Sequence, residues 1–175
     1  MDKNTLIVNF FAGPGAGKST MSATVFSELK WRGIESELVT EFAKDLVWEK
    51  RHFTFANQVY MFGEQHHRIF RLLGQVNVVV VDSPILLTPI YDLKQRPELE
   101  TLAVNEFNST NNYNIFLKRV KDYNPNGRNQ TREQAVEKDE EVLRLLNKHN
   151  IPFQVFSATK LDVDIIVDKI ITIIK

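Results

Sequence analysis

The chain has 175 residues, 43% of them hydrophobic, with 22 Lys plus Arg balanced by 22 Asp plus Glu, an ordinary composition for one soluble domain with a single core. Zero net charge argues against a surface that holds nucleic acid by counterion release, and the lack of cysteine excludes disulfides, thiolate metal sites and cysteine nucleophiles. The apolar runs VNVVVVD and DIIVDKIITIIK are short or interrupted by charge, and Asp2 and Lys3 open the chain, so neither a membrane span nor a secretory signal is expected and a cytoplasmic protein is the simplest reading.

Along the chain, apolar runs suited to buried parallel strands alternate with segments of helical spacing, without internal repeat or low-complexity linker. Residues 5–11 read as the first strand, and after a Gly-rich turn Met21, Val25, Phe26 and Leu29 form one helical stripe that Gly33 ends. A second strand is expected at 34–40, followed by helical stretches at 41–50 and about 56–73, with Gly74 as punctuation. The β-branched run at 77–82 suits the middle of a sheet covered on both faces. A helix at about 97–107 leads to a short strand near 114–117 and then to a polar segment, KRVKDYNPNGRNQ. Thr131 and Gln134 have capping-box spacing, so Thr131 starts the helix that carries Ala135, Val142, Leu145 and Leu146. The last strand is read at 151–156 and the last helix at 161–174. Five strands alternating with helices predict a three-layer α/β domain over 1–175, with a five-stranded parallel sheet and ligands at the carboxyl ends of its strands.

Between the first strand and first helix stand Ala12, Gly13, Pro14, Gly15, Ala16, Gly17, Lys18 and Ser19, followed by Thr20. This fits the phosphate-loop pattern with Ala in place of the first Gly, and marks the fold as a P-loop NTPase. Backbone amides must turn toward one concave point, where a Cβ would obstruct an approaching phosphate. Amides at the helix N-terminus add partial positive charge, Lys18 can reach β and γ phosphates, and the Ser19 hydroxyl can ligate Mg²⁺. A nucleotide, ATP, with Mg²⁺ is the expected ligand, although the motif alone does not separate kinase, ATPase, GTPase and nucleotide sensor.

Asp82, directly after the NVVVV run, stands where an acid would hold Mg²⁺ directly or through water; a cap before Ser83 and Pro84 is the alternative. Glu41, at the end of the second strand, can accept the proton of an acceptor hydroxyl, or it is the negative charge that any helix N-terminus favours. Arg119, Arg128 and Arg132 flank the turn-forming Asn124-Pro125-Asn126-Gly127, which predicts a lid over about 118–131 that brings guanidinium groups onto phosphate oxygens. Weaker signals are Arg51, Arg68 and Arg71 for an acceptor phosphate, Phe53, Phe55, Tyr60 and Phe62 for base stacking, and Ser157-Ala158-Thr159 near a nucleobase edge. His66 and His67, adjacent on a helix, point apart and make no joint metal site.

The ordered set FAGPGAGKST, EFAKDLVWEK, Gln58 and Gln65, VVVVDSP and LKRVKDYNPNGRNQT resembles the P-loop kinase group typified by ribosylnicotinamide-kinase domains, a group that includes phage-encoded AAA-type members. The resemblance covers nearly the whole chain. It implies ATP and Mg²⁺ at residues 13–19, a carboxylate at Glu41, a metal-linked acid at Asp82 and lid arginines at Arg119 and Arg128. No residue identifies nicotinamide riboside itself as acceptor. The expected activity is transfer of the γ-phosphoryl group of ATP to a nucleoside- or nucleotide-like small molecule. Neutral net charge counts against the alternative of a kinase for nucleic-acid ends or hydroxylated bases, and a nucleotide-switched binding module is the alternative outside catalysis. A full AAA+ ring subunit is disfavoured, because the chain is too short for its additional helical domain.

Overall fold

A computed structural model describes residues 4–120 and 131–175. Five parallel strands form one sheet in the order β2-β3-β1-β4-β5, where β1 is Leu6–Phe11, β2 Ser36–Val39, β3 Val78–Val81, β4 Asn111–Lys118 and β5 Gln154–Ser157. The helices are α1 (Lys18–Trp31), α2 (Phe42–Trp48), α3 (His52–Phe55), α4 (Gln58–Phe70), α5 (Pro97–Asn108), α6 (Arg132–Lys148) and α7 (Lys160–Ile174). No described helix is long and apolar enough to cross a membrane.

Strand β1 lies at the centre of the sheet, and its alternation divides the core. Leu6, Val8 and Phe10 belong to one cluster with Met21, Val25 and Leu29 of α1 and Ile166 and Ile170 of α7. Ile7 and Phe11 belong to the opposite cluster with Phe62 and Ile69 of α4, Leu99 and Ala103 of α5, and Leu146 of α6. Helices on both faces therefore make every residue of β1 and β3 buried. Burying each Val of β3 removes a side chain from water at a gain of about 1.5–3 kcal/mol, and four in succession account for the continuous apolar run rather than an alternating one.

The register pairs Leu6 with Val78 and with Asn111, and Ser36 with Val78. It sets Asn9 opposite Asn114, on the face that Ile7 and Phe11 share. Its carboxamide donates to Asn112 Oδ1 at 2.8 Å and Asn114 Oδ1 at 3.0 Å, and Asn114 donates to the Pro152 carbonyl at 3.0 Å. These partners satisfy amides that would be costly to bury alone, and they let β4 begin at Asn111, earlier than its polar sequence predicts.

Local signals set most of the ends. Gly33 takes φ +75° beyond α1, and the Ile34 amide returns to the Leu29 carbonyl. Thr131 and Gln134 form the expected capping box at the start of α6. The stretch expected as two helices is three, because α2 stops at Trp48 and Lys50 turns at φ +56° before the single turn of α3. Residues 85–91, which carry no helical period, form a 3₁₀ segment, Ile85–Tyr91, with Pro89 inside it. It packs Ile85, Leu86 and Leu87 into the core and carries Tyr91 to the rim of the sheet.

Candidate active site

The loop leaving β1 at Phe11 turns through residues 12–17 into α1, whose first residue is Lys18. Gly17 is the N-cap, at φ +101°, a conformation only glycine adopts without strain. A Cβ there would also come within 2.9 Å of the Ala158 methyl group, so Ser157-Ala158-Thr159 supports the loop by packing. Thr159 in turn donates to Asp162 at the start of α7. Gly13 departs from the sequence-based expectation that its missing Cβ makes room for phosphate. A Cβ at Gly13 would lie 2.5 Å from the Ala135 carbonyl and 2.9 Å from Asp139 Oδ1, so it is the approach of α6 that demands glycine.

One cavity of about 380 Å³ opens beside this loop. Pro14, Gly15, Gly17, Lys18, Ser19 and Thr20 form one wall, and Ala16 is buried beneath them. The other wall carries Glu41, Lys44, Trp48, Phe55, Gln58 and Tyr91, with Ser83 between the two. The Lys18 ammonium donates to the carbonyls of Ala12 at 2.8 Å and Gly13 at 3.0 Å, which holds its charge inside the curve of the loop.

Asp82 follows β3, and its amide donates to the Val39 carbonyl. The residue is 4% exposed, and its Oδ1 has no hydrogen-bond partner among the described residues. A buried carboxylate oxygen without a donor is costly unless a cation serves it. A buried acid of this kind fits the chemistry of a Mg²⁺ ligand. No group of three or more His, Asp or Glu side chains placed to hold a metal ion by themselves occurs among the described residues.

Glu41 is the N-cap of α2 and faces the same cavity. Gln65 holds the backbone on both sides of it, accepting from the Phe42 amide at 3.0 Å and donating to the Thr40 carbonyl at 3.3 Å. Tyr91 was not singled out in the sequence, since its segment lacks a period. Burial first, then the carboxylates of Glu41, Glu141 and Asp139, raise its phenol above the ordinary value, so it remains a neutral hydroxyl. Gln58, also buried, donates to the Phe55 carbonyl at 2.9 Å.

Of the arginines expected in a lid, Arg119 and Arg132 are among the described residues. The Arg119 guanidinium donates to Asp139 on α6 and to the Pro14 carbonyl of the loop. Arg132 is exposed at the first position of α6, and Arg128 lies outside the described residues with 121–130. On the acceptor side, Arg51 pairs with Glu49, and Arg68 pairs with Asp45 at 2.8 Å while covering the Phe42 ring. The aromatic residues separate as well: Phe62 is core, Phe53 is 95% exposed, Tyr60 meets Phe42 edge-on, and only Phe55 lines the cavity. His66 stacks between Phe62 and Phe70 beside Glu106.

A phosphate loop between a central strand and its helix, an acid at the end of the neighbouring strand and helices on both faces of a parallel sheet define a three-layer P-loop NTPase of the nucleotide-kinase-like type. A family model described as an AAA domain matches residues 7–162, and the chain belongs to that family. Among solved structures it is similar to deoxyadenosine kinase from M. mycoides with bound dATP, at 20% identity and TM-score 0.55, covering 94% of this chain and 97% of the other. It is similar also to the APS kinase of Mycobacterium tuberculosis in complex with AMPPNP and APS, at 14% identity and TM-score 0.52, covering 97% of both chains. These likenesses carry the fold and do not extend to the narrower ribosylnicotinamide-kinase group. No curated protein matches the chain.

Proposed function

We propose that this protein is an ATP- and Mg²⁺-dependent phosphotransferase that moves the γ-phosphoryl group to a hydroxyl of an uncharged, nucleoside-like acceptor. The observation that carries the proposal is the composition of the single cavity beside the loop. One wall offers the amides and Lys18 suited to polyphosphate, while the facing wall combines the Glu41 carboxylate, the Lys44 ammonium, the carboxamides of Gln58 and Gln65, the Tyr91 phenol and the aromatic surfaces of Trp48 and Phe55. Among the described residues its only cations are Lys18 and Lys44. A phosphorylated acceptor needs guanidinium or ammonium partners for its dianion; among the described residues this wall offers one, Lys44, offset by the Glu41 carboxylate, while Arg51 pairs with Glu49 and Arg68 with Asp45. An uncharged acceptor suits this wall better than a nucleoside monophosphate or a nucleic-acid end. One of the kinase likenesses, deoxyadenosine kinase, agrees with this reading.

In the proposed reaction Glu41 accepts the acceptor hydroxyl proton as its oxygen forms a bond to the γ-phosphorus and the bond to the β–γ bridging oxygen breaks. Lys18 leaves the Ala12 and Gly13 carbonyls and neutralises charge on the phosphate oxygens, and the amides that open α1 do the same along the loop. Ser19 and Asp82 would hold Mg²⁺; when bound, it supplies positive charge for the β and γ oxygens. Trp48, Phe55 and Met61 shield the acceptor side from water, and Gln58 and Tyr91 supply polar contacts that orient the acceptor.

The test is transfer of label from [γ-³²P]ATP to nucleosides, nicotinamide riboside, nucleoside monophosphates and DNA or RNA oligonucleotides. Label in a nucleoside-type product, with ADP release that rises with acceptor, supports the proposal. Label only in oligonucleotide ends or monophosphates would refute the uncharged acceptor, and ATP consumption indifferent to every acceptor would favour a nucleotide-switched module. Glu41→Gln should lower kcat by about 10²-fold or more through loss of the proton acceptor, with ATP affinity kept.

A further inference from the structure

Arg119, the residue immediately after β4, and Asp139, on the third turn of α6, are the best-protected ion pair of the site. Their side chains are 12% and 16% exposed, and Arg119 reaches Asp139 Oδ2 through Nη2 at 2.9 Å and Nε at 3.1 Å. The remaining capacity of both groups goes to the phosphate loop and to α6. Asp139 Oδ1 accepts from the Gly13 amide. Arg119 Nη1 donates to the Pro14 carbonyl at 2.8 Å, and Nη2 also donates to the Ala135 carbonyl at 3.3 Å. Two successive residues of the loop are thus gripped from one side, one by its donor and the other by its acceptor.

Resting on the phosphotransferase reading above, we infer that Arg119 and Asp139 are a positioning pair that presets residues 13 and 14 of the phosphate loop, Arg119 acting through the loop backbone rather than as a ligand of phosphate. A loop already held in its binding shape gives up less conformational freedom when nucleotide arrives. The pair also carries a charge constraint. Asp139 places a carboxylate against a loop built for polyanions, which is tolerable only while Arg119 cancels it. The two partners are therefore unequal. Loss of Arg119 leaves an uncompensated negative charge beside the phosphates, whereas neutralising Asp139 as Asn keeps a carbonyl oxygen for the Gly13 amide and leaves a positive charge in place.

Calorimetric titration of wild type, Arg119→Met, Asp139→Asn and the double variant with a non-hydrolysable ATP analogue, each first checked by circular dichroism, tests this. Arg119→Met should raise Kd about tenfold or more, while Asp139→Asn stays within about threefold of wild type or binds more tightly. The double variant should return to within about threefold of Asp139→Asn: removal of the second charge relieves the first, the carboxamide at position 139 still holds the Gly13 amide, and the lost hydrogen bond to Pro14 costs no more than about that factor. A direct phosphate ligand predicts the opposite, a double variant as weak as Arg119→Met, and that result overturns the inference. So does wild-type affinity in Arg119→Met. If Arg119→Met does not fold, the double variant against Asp139→Asn decides alone: matched affinities support the pair, and a tenfold gap refutes it. Wild type that binds no analogue sinks the phosphotransferase reading on which the pair rests, a failure distinct from wild type that binds with variants that do not differ.

Discussion

Lys18 and Asp82 show how little packing their proposed chemistry requires of them. Among the described residues the Lys18 ammonium is held by two loop carbonyls, at 2.8 and 3.0 Å, so Lys18→Ala should leave the circular dichroism spectrum unchanged. It should nevertheless lower ATP turnover by about 10²-fold or more, since the lost charge acts on phosphate oxygens. Turnover at the wild-type rate would remove the phosphate-loop assignment. Asp82→Asn keeps the size of a buried residue whose Oδ1 has no hydrogen-bond partner among the described residues. If that oxygen serves a cation, the variant should need a higher Mg²⁺ concentration for half-maximal rate while thermal stability is held or improved, because an unpaired buried carboxylate is itself destabilising. An unchanged Mg²⁺ midpoint with lowered stability would make Asp82 a capping residue.

Between elements, the decisive contact is that of α6 on the loop after β1. Gly13 is needed there by a backbone carbonyl, and carbonyls of a regular helix cannot shift as a flexible side chain can. Gly13→Ala should therefore destabilise the fold by about 1–3 kcal/mol through overpacking, read as a shift in the denaturant midpoint, and should weaken nucleotide binding with it. Equal stability would show that α6 can withdraw from the loop without cost. A second junction joins the 3₁₀ segment to α5. There Asp92 accepts from Arg96 Nε and Nη2, both at 2.8 Å, and from the backbone amides of Arg96 and Lys94. The Arg96 side-chain bonds are the main cause holding the Asp92 carboxyl at about 2, below its ordinary 3.8.

For the whole molecule, that depressed value sets a pH window. Because the folded pKa lies below the unfolded one, Asp92 contributes its stabilisation in full above about pH 4 and loses it as pH falls toward 2. The stability difference between wild type and Asp92→Asn, measured by denaturant midpoints at pH 5, 3 and 2, should shrink as pH falls; a difference constant across that range would detach the turn from acid stability. Much of the architecture could be read locally. The phosphate loop, the capping box at Thr131, the glycine stop at Gly33 and the β-branched run of β3 each depend on neighbours a few residues away, and short-range sterics and hydrogen bonding are written in the order of residues. The strand order, the early start of β4 and the 3₁₀ course of residues 85–91 depended on what lies across the sheet. So did the partners of Arg119. Its sequence surroundings are those of a polar lid, yet its guanidinium meets a carboxylate 20 residues on and a carbonyl 105 residues back. Asp139 carries no local mark at all, and its bond to Gly13 spans 126 residues. A charged side chain takes the partner that the folded backbone brings within about 3 Å, and only the tertiary arrangement of β1, β4 and α6 decides which partner that is.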